Sequence, residues 1–389
     1  NHPLEPSKVE TVMVCEATGH APECVEIGII ASNGEFDTNK VLSSEGVANQ
    51  HHTESKSQIL VNKANDLLHS AHDNIHASSL DINPSELVYT KEIGEGQFGL
   101  VFKGTYRGRK CAIKKLKSGV SKENLEYQSI AIEMSVLLRI GRHPNVVEFF
   151  GACVDDSENP IIVEEYVGDT NLQDFLFSKY PGFNLGFSKV QKWALDILSA
   201  LDHLHGLNPV VVHRDVKPAN LLICADRNSL KLTDFGLSKL AMPIPTTAGE
   251  GRRTSLCRCH SAKIGTPRYG APEVFHPRPA DQCGNDLGYD EKVDVYSAAL
   301  IMWYLLTGRK PTCNAQLDPA ARPDVAPAKK RSAALAALLQ KMWDGDPDVR
   351  PSAVECVARV RSMAPPPSLA RSAMQSLGRL CGAPAIHSQ

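Results

Sequence analysis

Three glycines, Gly94, Gly96 and Gly99, fall between two runs of strand-forming residues, and this placement most constrains how the chain folds. A Gly-x-Gly-x-x-Gly triplet that opens a helix belongs to a dinucleotide-binding β-α-β unit. Here Leu100-Val101-Phe102 and Lys110-Cys111-Ala112-Ile113 follow instead, so the glycines belong to the tip of a hairpin. Alone, the triplet marks no more than a flexible hairpin.

Four more short pieces follow in order: Cys111-Ala112-Ile113-Lys114, His213-Arg214-Asp215-Val216-Lys217-Pro218-Ala219-Asn220, Asp234-Phe235-Gly236 and Ala271-Pro272-Glu273. Any one of them arises by chance; five in this order and at this spacing do not. The succession closely resembles that of eukaryotic protein kinases. Gly265-Thr266-Pro267-Arg268-Tyr269, Asp294-Val295-Tyr296-Ser297 and Asp346-Pro347-Asp348-Val349-Arg350-Pro351 look most like the tyrosine-kinase-like branch of serine/threonine kinases. The resemblance implies an α+β, two-lobed protein kinase fold over about residues 86–363. Its N-lobe (86–167) would be a small antiparallel sheet with one main helix, and its C-lobe (168–363) larger and mainly helical.

The roles below are those the resemblance implies. The backbone of Gly94, Glu95, Gly96, Gln97 and Gly99 would approach the phosphates of ATP, with Phe98 capping the loop. Val101 and Ala112 would cover the adenine, Glu165 and Val167 would offer backbone groups to it, and Leu222 would complete the pocket. Lys114 would touch the phosphates and pair with a helix glutamate, for which Glu133 is favoured over Glu123 and Glu126. Asp215 would orient the substrate hydroxyl and accept its proton, Lys217 would steady the transferred phosphoryl group, and Asn220 and Asp234 would hold Mg2+ or Mn2+. Lys217 and Thr266 resemble serine/threonine kinases, so Ser and Thr side chains of proteins are the expected acceptors. A tyrosine or dual-specificity kinase, or a pseudokinase acting as a scaffold, is the alternative.

Arg214 resembles a receptor for a phosphate on the long segment between Asp234 and Glu273, with Thr254 and Ser255 the leading sites; a backbone hydrogen bond is its plainer role. Cys257-Arg258-Cys259-His260 offers at most three metal ligands, short of a closed zinc site, and reads as reduced thiols. Three positions depart from the family. Glu164 falls at the gatekeeper, usually apolar or threonine; Gly270 replaces a bulkier residue; and Ala298-Ala299 replaces Phe-Gly.

The flanks are less defined. Residues 1–85 are rich in Ser, Asn, His, Glu and Gly, with no strand alternation long enough for an independent sheet, and read as mostly disordered. An amphipathic helix near 55–80, with Leu60, Ala64, Leu67, Ala71 and Ile75 on one face, either packs on its own lobe or binds a partner or a second copy. Residues 364–389 read as a flexible tail after Pro365-Pro366-Pro367. The net charge of -2 gives no reason to expect nucleic acid, and no apolar run reaches the roughly 20 residues that span a bilayer. Eleven scattered cysteines suit reduced thiols, so a cytoplasmic location is expected. Since the chain starts at Asn1 and not Met, an upstream address stays open.

Overall fold

The computed structural model describes residues 9–15, 24–30, 82–96, 99–117, 125–155, 159–179, 182–241, 265–276 and 289–365. The helix expected near 55–80, the tail beyond 365, Thr254, Ser255 and the Cys257–His260 cluster lie outside them.

A five-stranded antiparallel sheet runs in the order β3-β4-β5-β7-β6, formed by β3 (Leu87–Gly96), β4 (Gly99–Tyr106), β5 (Arg109–Lys115), β6 (Phe149–Val154) and β7 (Pro160–Glu165). Between β5 and β6 the chain inserts α1 (Leu125–Ile140), so β5 pairs with β7 and leaves β6 at an edge. Period-two alternation gives the sheet two faces. Cys111, Ile113, Ile161 and Val163 fill one, with Ile82, Leu87 and Tyr106. On the other, Ile162 joins Leu137 and Ile140 of α1 in a core that continues into the helical lobe. Two lobes therefore share one apolar core.

The helical lobe is organised by α3 (Phe187–His205) and α5 (Lys292–Thr307), which follow the short α2 (Leu172–Ser178) and α4 (Pro272–Phe275). In α3 the buried residues Phe187, Val190, Trp193, Ile197, Leu201 and Leu204 recur at steps of three and four and make one apolar face. Leu195, off that face, is only partly buried. Every residue of α5 from Val293 to Leu306 is buried, so this helix has no solvent face and forms the lobe's centre. The lobe closes with α6 (Ala326–Arg331), α7 (Ala333–Met342) and α8 (Ala353–Arg361), the last capped by a reciprocal Ser352–Glu355 capping box. Short strands β8 (Val210–Val212), β9 (Leu221–Ile223), β10 (Leu230–Leu232) and β11 (Lys239–Ala241) pair as β9-β10 and β8-β11 beneath the sheet lobe.

One difference from the sequence reading lies near the start of the chain. β1 (Val9–Cys15) and β2 (Cys24–Ile30) pair antiparallel from Val9↔Ile30 to Cys15↔Cys24, where no sheet was expected. Three valines in β1 and a valine with three isoleucines in β2 supply strand propensity without strict alternation.

The Gly270 departure also has a physical reason. A Cβ built there would come within 2.6 Å of the Phe275 ring, so the aromatic ring occupies the space that a bulkier residue 270 would fill.

Candidate active site

The loop after β8 is held from below by Asp294, the third residue of α5. Its carboxylate accepts from the backbone N–H of His213 (2.8 Å) and of Arg214 (2.8 Å) and meets His205 Nε2 at 3.0 Å. Complete burial works against its ionisation, but the partners at His205 and His213 outweigh that and hold the carboxyl below its ordinary value. Gripped in this way, Arg214 adopts a left-handed backbone with φ of 66°, a conformation that costs a β-carbon-bearing residue on the order of 1 kcal/mol. Its guanidinium donates to Leu237 O (Nε, 2.5 Å) and to Tyr289 Oη (2.9 Å), so it bonds both backbone and a side chain.

The next residue, Asp215, is 5% exposed and gathers three residues around its carboxylate. Lys217 Nζ donates to Oδ2 at 2.5 Å, and Asn220 Nδ2 to Oδ2 at 3.1 Å and to the Asp215 carbonyl at 2.9 Å. Oδ1 accepts from Thr266 N (3.2 Å) and Thr266 Oγ1 (2.9 Å). Pro218–Asn220 form one turn of 3-10 helix, which brings the Asn220 amide back over Asp215. Thr266, 51 residues away, arrives through the fold.

Across the cleft, β5 carries Lys114, whose ammonium donates to Glu133 of α1 and lies 3.7 Å from Asp234 Oδ1. Burial opposes its charge, but the Glu133 and Asp234 carboxylates overcome that and hold the ammonium above its ordinary value, so it stays protonated. Asp234, like Arg214, has a left-handed backbone, with φ of 68°. The following Phe235 is fully buried with its ring centroid 5.0 Å from that of His213, in the core that includes Leu137 and, packed against it, Phe149. That chain of side chains runs from α1 through the sheet to the Asp215 loop.

Most of the remaining candidate residues lie on β3, β4, β5 and β9 or at the end of β7. Gly94 and Gly96 lie on β3 opposite Val101 and Gly99 of β4. A Cβ on Gly99 would fall 2.2 Å from Lys115 O, so the backbone approach there admits only glycine. Val101 pairs with Lys114, and Ala112 with Glu164, across β5. Glu95 pairs with Lys117 through its exposed carboxylate, while Gln97 and Phe98 lie outside the described residues. Glu165 spends its side chain on Glu148 N (2.9 Å) and Lys231, and its own N–H donates to Glu148 O (2.9 Å). Val167 N–H and C=O make no hydrogen bond to any described residue. Leu222 lies between buried Leu221 and Ile223 on β9 and is only partly buried, in keeping with strand alternation.

Several supporting residues were not singled out from sequence. Asn145, after α1, donates to Leu230 O (3.0 Å), and its carbonyl accepts from Leu232 N (2.8 Å), tying the sheet lobe to the strand before Asp234. The His143-Pro144-Asn145 triplet was the available signal. Ser297, the last residue of the Asp294–Ser297 motif, donates from Oγ to Tyr269 O (2.8 Å), while Lys231, which braces Glu165, has no local signature. Farther off, Arg350 is bidentate on Glu273, with Nη1 to Oε1 at 2.6 Å and Nη2 to Oε2 at 2.9 Å, in a buried ion pair.

Asn220 and Asp234 offer amide and carboxylate oxygen, the donors a hard divalent cation takes. No group of three or more His, Cys, Asp or Glu that could hold a metal ion exists among the described residues. Two protein ligands fit a cation that completes its shell with phosphate and water. No helix among the described residues is long and apolar enough to cross a membrane, and Cys111, Cys153, Cys224, Cys313 and Cys356 are free thiols.

Comparison with known proteins matches residues 87–360 to the family model described as protein kinase domain. Serine/threonine-protein kinase VIK of Arabidopsis thaliana is 33% identical over 293 residues, 73% of this chain and 62% of that protein. Serine/threonine-protein kinase STY17 of the same plant is 31% identical, covering 73% of this chain and 45% of the relative. A putative serine/threonine-protein kinase/receptor R831 of Acanthamoeba polyphaga mimivirus is 34% identical over 72% of this chain, but only 16% of its own length. The chain thus spans less than two thirds of these relatives.

Proposed function

The chain belongs to the protein kinase family, and on that premise we propose that it transfers the γ-phosphoryl group of ATP to Ser or Thr hydroxyls of proteins. The observation that carries this reading is that three distant segments are joined: Lys114 of β5 lies 3.7 Å from Asp234 after β10, and Thr233, beside Asp234, donates to Asn220 O (3.0 Å) of the Asp215 loop after β8. Phosphoryl transfer needs positioning and charge neutralisation more than covalent help, and these residues supply both.

In this reading Lys114, held charged between Glu133 and Asp234, binds phosphate oxygens. Asp215 orients the acceptor hydroxyl and takes its proton, while Lys217, already on its Oδ2, moves onto the transferring group as negative charge develops. Thr266 on Oδ1 fixes the carboxylate plane and narrows the approach, which favours the short Ser and Thr side chains. Asn220 and Asp234 would hold the divalent cation, Mg2+ in preference to Mn2+, and it supplies charge neutralisation of the phosphates when bound. The backbone of Glu165 and Val167, with Val101, Ala112 and Leu222, forms the base site.

The domain would extend over about 86–363, divided after Val167, with 1–85 and 364–389 as flanking segments acting in a cytoplasmic signalling protein. Arg214 would exchange its Leu237 and Tyr289 bonds for a phosphate at Thr254 or Ser255. Mass mapping after incubation with ATP tests that step, and an unmodified segment between residues 240 and 266 would contradict it.

An ATP-consumption assay on a peptide library tests the whole proposal, with Asp215→Asn as control. Phosphate on Ser or Thr peptides in the wild type only is expected. Equal turnover in the control, or none in either protein, sinks it and favours a partner-binding scaffold.

A further inference from the structure

We propose that Glu164 is a specificity-determining residue of the nucleotide site, its carboxyl oxygen taking a hydrogen bond from the 6-amino group of a purine base. This rests on the nucleotide-binding function proposed above and adds a contact that the shared catalytic set does not contain.

Glu164 is 7% exposed, and its Oε1 is buried with no hydrogen-bond partner. Two other buried side-chain atoms among the described residues share that condition, His205 Nδ1 and Tyr296 Oη, both in the helical lobe. Only Glu164 belongs to the sheet that lines the base site.

Strand register fixes which way this carboxyl faces. Lys114 and Ala112 are two residues apart on β5 and so share a face, the one from which Lys114 reaches Asp234. Their partners on β7 are Ile162 and Glu164, and Glu164 is also paired with Phe149 of β6. Glu164 therefore projects on the cleft face between Ala112 and Phe149, one residue before the Glu165–Val167 backbone assigned to the base. At that point the Val167 N–H and C=O bond to no described residue.

Such a side chain has two unfavourable options alone: to stay neutral with an unmet acceptor, or to ionise in an apolar, electronegative place. Burial raises its pKa to about 8, with Glu133 from α1, Asp234 from the loop after β10 and its own neighbour Glu165 adding to the rise and Lys114 of β5 opposing it. Either protonation form keeps a carboxyl oxygen able to accept. A flat ligand between the apolar walls of Val101, Ala112 and Leu222 meets this acceptor if it presents an N–H at its inner edge, and a 6-aminopurine does.

The test is a cycle between protein and ligand, read by calorimetry on the full chain without metal. Adenosine and purine riboside, which lacks the 6-amino group, are titrated against wild type, Glu164→Leu and Glu164→Gln. Loss of the amine should weaken binding to wild type about fivefold more than to Glu164→Leu, the value of one ordinary hydrogen bond. Glu164→Gln keeps an acceptor oxygen and should retain the wild-type difference. Glu164→Met replaces the leucine variant if that fails to fold. An equal loss in wild type and the apolar variant overturns the role of Glu164 while leaving the nucleotide site standing. Adenosine binding to none of the proteins would remove the nucleotide site itself, and the proposal with it.

Discussion

Replacing Arg350 with methionine should destabilise the helical lobe by about 4 kcal/mol, because it strands a carboxylate where water does not reach. The Arg350 side chain is fully buried, and Glu273, against it, is 3% exposed. The guanidinium makes four bonds: two to the Glu273 carboxylate, one to Asp344 O (2.9 Å) and one to Lys292 O (3.2 Å). Breaking a buried pair from one side costs roughly 3–5 kcal/mol, and the Asp344 carbonyl left without its donor keeps the figure from the lower end. Against a total stability of about 5–15 kcal/mol, that is a large fraction. With a urea dependence near 3 kcal/mol per molar, the unfolding midpoint should fall by about 1.3 M. Urea titration followed by tryptophan fluorescence reads it, since Trp193, Trp303 and Trp343 are all in the helical lobe. The double variant Glu273→Leu with Arg350→Met removes both charges, so it should recover at least half of the loss. A midpoint for Arg350→Met within about 0.2 M of wild type, or a double variant less stable than the single one, would refute the desolvation argument.

Lys114→Met should lower turnover by ~10²–10³-fold while the melting temperature shows the fold retained; unchanged turnover would mean that another cation serves the phosphates. Asp294→Ala frees the backbone of His213 and Arg214, so kcat should fall more than nucleotide affinity, and an equal fall in both would place Asp294 in binding instead. Glu164 binds its proton more tightly in the folded chain, with its pKa raised from 4.5 to about 8. Between those values the folded state holds more protons than the unfolded, so stability is lost as pH rises, by up to about 1.4 kcal/mol per pH unit. Glu164→Gln should lack this slope when urea midpoints are taken from pH 5 to pH 8, and parallel curves would show that the carboxyl titrates normally.

Much of the catalytic loop was legible because its contacts are local. Lys217 and Asn220 reach Asp215 from two and five residues away, so the composition of eight consecutive residues determines which groups meet. The hairpin at Gly94–Gly99 was legible for the same reason: backbone preference and side-chain period are short-range properties. The chain thus determined by itself its strands, its helices and the chemical inventory of the cleft.

Only the tertiary structure decided which groups meet across long separations. Three glutamates competed for Lys114, and the placement of α1 against the sheet brings Glu133 to it. Lys231 on Glu165, Asn145 on Leu230 and Thr266 on Asp215 join residues 66, 85 and 51 positions apart. Glu164 shows the division most clearly. Its identity and strand were readable, but its lack of a partner depends on what packs over Oε1 from α1, β5 and β6. Local sequence sets backbone angles through sterics and short-range hydrogen bonds. The dielectric and the neighbours of a buried charge are set by packing, which no stretch of chain contains alone.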